Sequence, residues 1–412
     1  MSTEPKAWGA GARGSTRAPN RRMPTFADVE RIAKRRIPGF AFDFVDGGTG
    51  DNRGVGRNRA GLDGVEIIPR YGAPQPVDIG VELFGRRYAA PIGISPVGAD
   101  GIVWPGITKA LAGTSARTRI PYIVGTLASA SIEEVADITP FGAWLQLYGF
   151  PRDDHRVTFD LIRRARETGA AAIVATLDAP VRSKRPGDLK NGLVVPFRPT
   201  PKTIYQVATS LPWAMALLRN GTPVFRNMEP YVEQPATMER AAGFVQGELK
   251  GTFTWDEVRR MRRAWPGALI VKGIQHPDDA ESALKAGVDG ILVSNHGGRQ
   301  SDAAPAPIDV LPAIADRVAG RATLLYDSGV RSGLDAARAI ALGADAVFCG
   351  RAYLYGVAAL GDRGGDYIAE MLAEELRVAM AQHGAHDVDA LRAADIRHPS
   401  AWRPCSCRIE SI

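Results

Sequence analysis

Gly290-Ile-Leu-Val-Ser-Asn-His-Gly-Gly-Arg-Gln300 begins as an apolar run and ends as a polar, glycine-containing loop. Its first four residues read as a strand buried on both faces, as in a parallel sheet. Gly297 and Gly298 let the backbone turn sharply and approach a ligand closely. His296 can take a proton near neutral pH. Arg299 can hold a carboxylate with two parallel hydrogen bonds. Taken alone, a strand-end histidine satisfied by backbone groups is the plainer alternative.

The same design recurs along the chain. Ala90–Ser95, Tyr122–Thr126, Ala143–Tyr148 and Ala171–Asp178 are short apolar runs ending in polar residues. Ala268–Gly273, Gly290–His296, Thr323–Gly329 and Ala346–Arg351 repeat the pattern. Helical segments lie between them, among them Ile132–Asp137, Val157–Thr168, Pro277–Ala286 and Gly333–Leu342. Eight strand–helix units without a strand-only block predict an α/β protein, a (β/α)8 TIM barrel. A doubly wound sheet is the alternative, but eight is the barrel number. Another helix is expected after Met23.

Pro186 to Thr254 is too long for an ordinary connection after the fourth strand. It predicts a lid-like insertion over the barrel mouth, or an oligomer contact. Trp213, Phe225 and Tyr231 favour its burial. The expected organisation is a disordered basic tail over residues 1–22, a barrel domain over 23–395 and a C-terminal tail over 396–412.

Composition narrows the function classes. The 412 residues are 45% hydrophobic and 23% charged, with a formal charge of +6. Much of that excess is local, because Lys6, Arg13, Arg17, Arg21 and Arg22 face only Glu4 in the first 22 residues. The remainder is near neutral, so no nucleic-acid partner is expected. No apolar run is long enough to span a bilayer, and no secretory signal is evident. Cys349, Cys405 and Cys407 are the three cysteines, too few for a disulfide framework. They fit a reducing, cytoplasmic location. Cys349 falls inside the eighth strand as a core residue.

Chemically capable residues collect at the C-terminal ends of the strands, where a barrel builds its active site. They are Gly98, Thr126, Gln146 with Tyr148, Thr176 with Asp178, Lys272, Ser294 with His296, Asp327, and Gly350 with Arg351. Gly329, Arg331, Gly350 and Arg351 close strands seven and eight, a usual phosphate position, and suggest a phosphorylated cofactor. Lys272 could stabilise negative charge on a cofactor ring, form a Schiff base or make a structural ion pair. Its companions favour the first role. Asp178 and His296 form a plausible carboxylate–imidazole pair, although Asp178 could instead cap the next helix. Arg299, Arg185 and Tyr148 could hold an anionic substrate. No His/Cys set has metal spacing.

With Gln146-Leu-Tyr148, Thr176-Leu-Asp178, Val271-Lys-Gly273, Ser294–Gln300 and Asp327-Ser-Gly-Val-Arg331 on view, the chain resembles the FMN-dependent L-2-hydroxy acid oxidases and dehydrogenases. The likeness runs in order from about Phe26 to the Met380 region. Within that family it is most similar to L-lactate 2-monooxygenase. That likeness rests on Gly125-Thr-Leu-Ala128, Gly273–Ala280, Gly287-Val-Asp-Gly290 and the long segment after strand four.

The resemblance implies bound FMN and a 2-hydroxy acid substrate. His296 would take the hydroxyl proton while hydride leaves the α-carbon for flavin N5, and Asp178 would support the imidazolium. Arg299 and Arg185 would bind the carboxylate, and Tyr148 a substrate oxygen. Lys272 would sit near the flavin N1–C2 edge. Pro96, Val97, Gly98, Thr126, Gln146, Thr176 and Ser294 would contact the ring. Asp327, Gly329, Arg331, Gly350 and Arg351 would serve the ribityl phosphate. Oxygen is the expected acceptor, with or without oxidative decarboxylation, in a homo-oligomer. The alternatives are a quinone or protein acceptor, or a flavin-binding protein without turnover. Phe44 stands where the family usually has a carboxylate-binding tyrosine, which leaves room for a bulkier or less polar substrate. Gly98 resembles the monooxygenase and dehydrogenase branches, because simple oxidases tend to carry alanine there.

Overall fold

The structure, a computed structural model, describes residues 23–72, 76–181, 183–193 and 200–399. The expected basic tail, Cys405 and Cys407 lie outside the described residues. Eight parallel strands close into a barrel: β1 (Ile92–Ile94), β2 (Tyr122–Val124), β3 (Ala143–Leu147), β4 (Ala172–Thr176), β5 (Ala268–Ile274), β6 (Gly290–Val293), β7 (Thr323–Asp327) and β8 (Ala346–Cys349). Seven fall inside an apolar run anticipated from sequence, and β5 extends one residue beyond its run, to Ile274. The four segments given above as helical between the strands are helical as well.

The register decides which side chains become neighbours. Thr176 of β4 pairs with Lys272 of β5, so two mouth-facing positions lie side by side. Between β5 and β6 the register shifts across Lys272 and Ile274, a bulge centred on Gly273. Bulges re-aim side chains next to active sites. Here the cause is steric: a Cβ on Gly273 would come within 2.4 Å of the Asp178 Cβ, and its φ is +101°. Only glycine lets β5 pass so close to that carboxylate.

The opposite end of the barrel is sealed. The hairpin Val81–Leu83/Arg86–Tyr88 packs under an interior of Ile123, Trp144, Ile270, Leu292, Leu325 and Phe348. The Trp144 Nε1 donates to the Tyr88 hydroxyl at 3.0 Å, satisfying the two polar atoms this plug buries. Chemistry is therefore confined to the C-terminal mouth.

Three N-terminal helices, Phe26–Arg36, Gly39–Asp46 and Arg53–Asp63, reach that mouth. A capping box at Thr25 and Asp28 starts the first. The third is fixed at its start by Asp302, whose carboxylate accepts from the Asp51 and Gly54 amides at 2.9 and 2.7 Å.

The insertion after β4 is ordered into helices Pro186–Lys190, Pro201–Thr209, Leu211–Asn220 and Met238–Glu248. It is stitched to the loops after β1 and β2. Trp213 Nε1 donates to the Ile102 carbonyl at 3.2 Å, and the Asn227 side chain accepts from the Ile132 amide at 2.9 Å. Trp213 and Phe225 are buried, as expected. Bridges from Gly149 to Lys250 and from Ala179 to Gly251 lead the chain back toward β5. At the C-terminus, Ile396 and Arg397 had been assigned to a tail. They instead pair with Ile67 and Glu66, and Ile396 is buried.

Candidate active site

Three consecutive left-handed residues close β6: His296 at φ 59°, Gly297 at 67° and Gly298 at 74°. For histidine that conformation costs about 1–2 kcal/mol, so surrounding contacts must hold it. Ser294 Oγ accepts from the His296 amide at 3.0 Å, and Ser328 Oγ from the Gly297 amide at 3.0 Å. Asn295 Oδ1 accepts from the Gly298 amide at 3.0 Å. Asn295 also exchanges two hydrogen bonds with Asn58, at 2.9 and 2.6 Å. The Thr49 amide donates to the Gly298 carbonyl at 3.1 Å.

The outcome is a fixed imidazole. His296 Nδ1 lies 3.0 Å from Asp178 Oδ1. With Nδ1–H donated to Asp178, Nε2 is the basic nitrogen. Burial raises the Asp178 carboxyl, but His296 and Lys272 outweigh it and hold the group below its ordinary value. The carboxylate is ionised at neutral pH and favours the imidazolium.

A cationic side faces this pair. Arg299 gives both Nη1 hydrogens to backbone, the Phe44 carbonyl at 2.6 Å and the Gly47 carbonyl at 2.9 Å. Among the described residues its Nη2 and Nε make no hydrogen bond, so that edge can hold a carboxylate. Burial, then Arg185 and Arg351, pushes Arg299 well below its ordinary value. A guanidinium keeps its proton at neutral pH, so the crowding is relieved by binding an anion. The Phe44 ring lies beneath it, 5.0 Å from Cζ to centroid, a cation–π contact. Arg185 caps the Pro186–Lys190 helix and sits 3.8 Å from Asp188. The Tyr148 hydroxyl is pushed up to about 12, by burial first and Asp178 second, so it is a neutral hydrogen-bond donor.

Lys272 is buried on β5. Its Nζ is 2.6 Å from Ser294 Oγ and 3.0 Å from Asp327 Oδ2, with side-chain exposures of 4% for Lys272 and 7% for Asp327. Gln146 Nε2 donates to Thr176 Oγ1 at 2.9 Å, and Gln146 Oε1 accepts from the Thr126 amide at 3.1 Å.

These residues border one cavity of about 1220 Å³. Phe44, Pro96, Val97, Gly98, Gln146, Tyr148, Thr176, Arg185, Lys272, His296, Arg299, Asp327, Gly329, Arg331, Gly350 and Arg351 all line it. Thr126 and Ser294, expected at the ring, stand behind the wall. They position Gln146 and Lys272 instead. Asp178 likewise acts through His296.

The phosphate end divides unevenly. The helix Gly333–Ala341 is already capped, since Asp335 accepts from the Arg331 and Ser332 amides at 2.9 and 3.0 Å. The helix Arg351–Leu360 has no side-chain cap at Gly350, and Gly350, Arg351 and Leu354 border the cavity. Its uncapped N–H groups are of the kind that can hold an anion. Arg351 lines the cavity, and three of its N–H groups go to the Val45, Gly297 and Gly47 carbonyls at 2.8, 2.9 and 3.1 Å, which ties down the end of the Gly39–Asp46 helix. Arg331 lies over the Phe26 ring, 3.8 Å from Glu30. A Cβ at Gly98 would meet only Leu127, at 3.4 Å, which leaves open wall for a planar ring. A buried lysine, a buried amide and an uncapped helix start fit the ring and phosphate ends of FMN.

Sequence reading missed Asn58, Ser328 and the structural role of Asn295. Asn295 lay inside the opening motif. Asn58 carries no local signal, because its partner is 237 residues away.

Comparison with known proteins identifies relatives over most of the chain. The profile of the family described as FMN-dependent dehydrogenase matches residues 33–398. An L-lactate dehydrogenase of Pectobacterium atrosepticum is 35% identical over 388 residues, 93% of this chain and 98% of that protein. One from Caulobacter vibrioides is 36% identical over 373 residues, 88% of this chain and 95% of that protein. Among solved structures, the monotopic membrane protein (S)-mandelate dehydrogenase superposes with a TM-score of 0.84 at 32% identity, covering 89% of this chain and 97% of that one. A mandelate oxidase superposes with a TM-score of 0.78 at 34% identity, covering 91% of this chain and 98% of that one.

Proposed function

The chain belongs to the FMN-dependent dehydrogenase family, and from that membership we propose that it oxidises an L-2-hydroxy acid bulkier than lactate and passes the electrons to an acceptor other than oxygen. The observation that carries the oxidation is His296, held by Asp178, in the same cavity as the part-buried, cation-crowded Arg299. Bound FMN supplies the acceptor for the hydride that leaves the α-carbon.

The protein's own part is positioning and proton transfer. The Nη2–Nε edge of Arg299, with Arg185 nearby, holds the substrate carboxylate. The Tyr148 phenol donates to a substrate oxygen. His296 Nε2 takes the hydroxyl proton, and Asp178 stabilises the resulting cation. Lys272 offsets negative charge at the ring edge. The insertion excludes water from the mouth.

The test is anaerobic reduction of the bound flavin by a panel of 2-hydroxy acids, followed by reoxidation with oxygen or with a soluble quinone analogue. Bleaching by a 2-hydroxy acid and faster reoxidation by the quinone analogue are expected. No bleaching by any member would remove the function. Faster reoxidation by oxygen would favour the second reading, an oxidase or a lactate 2-monooxygenase-like enzyme.

A specific observation favours the non-oxygen acceptor. The outward face of the insertion exposes Ile204, Tyr205, Leu211, Met215 and Leu218, the last at 87%. From Leu189 to Met228 the sequence holds Lys190, Arg198, Lys202, Arg219 and Arg226 and no acidic residue. An apolar helical face in a stretch of chain whose charges are all cationic suits an anionic lipid surface. A membrane site also fits the monotopic (S)-mandelate dehydrogenase, and no helix among the described residues is long and apolar enough to cross a membrane. Sedimentation with phosphatidylglycerol-containing vesicles should carry the enzyme down at low salt. Leu218→Asp with Met215→Asp should release it. Equal binding by the double variant would refute the docking.

Phe44 makes a further prediction. Phe44→Tyr should add a donor beside Arg299 and raise kcat/KM for lactate about tenfold relative to an aromatic 2-hydroxy acid. An unchanged ratio would mean that position 44 does not face the substrate carboxylate.

A further inference from the structure

The cavity has two chemically different sides. Arg299, Arg351 and His296 gather on the side of β6 and β8. The wall completed by the insertion is mainly apolar, with Glu239 and Gln246 among its polar members. Ile102, Leu127, Val207, Trp213, Met238 and Val245 line that compartment. Trp213 is buried, and the other five are partly buried against the core. The whole space, about 1220 Å³, has to hold FMN and substrate together.

We propose that this compartment is a side-chain subsite and that the substrate is an amphiphilic 2-hydroxy acid with an extended alkyl or arylalkyl chain. The inference rests on the 2-hydroxy acid reading above and names its substrate class. The carboxylate is fixed by Arg299, so the group on the α-carbon projects away from the cations. There it meets side chains from the helices Pro201–Thr209, Leu211–Asn220 and Met238–Glu248. A one-carbon side chain leaves that wall in contact with water. A longer one covers it and gains the transfer free energy of each methylene. Trp213 is held in place from both sides, by its hydrogen bond to Ile102 and by an edge contact with Phe40 at 5.9 Å. The subsite is therefore preformed, which limits the ordering cost of binding.

The experiment uses the FMN-loaded enzyme and two matched series. Unreactive 2-oxo acids from three to eight carbons are titrated by the change they cause in the flavin visible spectrum. The corresponding 2-hydroxy acids are tested for anaerobic reduction. The expected result is a Kd that falls about three- to fourfold per added methylene over at least three methylenes. Val207→Trp should fill the compartment and flatten the series, and Ala242→Phe is the second variant should the first fail to bind FMN. A flat series in the wild type, or a series unaltered in whichever filled variants bind FMN, would overturn the proposal. If lactate reduces the flavin and chain length has no effect, the subsite alone is wrong. If no 2-hydroxy acid reduces it, the underlying function is wrong as well.

Discussion

His296→Ala lowers the rate of flavin reduction by substrate about 10²–10⁴-fold, the usual worth of a positioned general base, while FMN stays bound. The imidazole is a proton acceptor in the cavity that the structure holds in one orientation. Nδ1 is committed to Asp178 at 3.0 Å, and Ser294, Ser328 and Asn295 lock the backbone beneath it. The phosphate end lies on other strands, at the uncapped helix after Gly350. Cofactor retention should therefore be independent of position 296. Alanine has no special tolerance for the left-handed backbone at φ 59°. His296→Asn keeps a residue that adopts it readily and should give the same kinetic loss. Anaerobic stopped-flow reduction is the measurement, with FMN content as the check on folding. Near-normal reduction in both variants would remove His296 from the role of base.

Lys272→Met should destabilise the protein by about 3–5 kcal/mol, the cost of stripping one partner from a buried ion pair. Asp327 would keep its charge at 7% exposure without the ammonium 3.0 Å away. Ser294 Oγ would lose its donor as well. Adding Asp327→Asn in the same chain removes the stranded charge and should recover most of the stability. It should not recover the cation at the ring edge, so the potential of the bound flavin should stay below the wild-type value. Denaturant unfolding and a redox titration read the two effects separately. A double variant as unstable as Lys272→Met would mean that Asp327 is not the group left exposed to the loss. A potential restored by the double variant would mean that Lys272 acts only on the fold.

Much of the arrangement was legible because its causes are local. A parallel strand buried on both faces must be largely apolar, and each of β1–β8 is. In a closed barrel the C-terminal strand ends converge, so polar residues there share a mouth wherever they fall in the chain. Asp178 and His296 are 118 residues apart, yet both were legible as strand-end residues. The insertion was legible by length alone.

What the sequence by itself determined is therefore the strand count, the mouth and the chemical types gathered at it. Tertiary structure decided how those groups are spent. Arg351 turns to three backbone carbonyls because the Gly39–Asp46 helix ends against it. Thr126 and Ser294 fall behind the wall because Gln146 and Lys272 stand in front of them. Gly273 is required by the passage of β5 against Asp178, and Asn58 by a buried amide on a distant loop. Each is set by contact between segments remote in sequence, and residue type and spacing along one segment carry no record of which remote atoms will be its neighbours.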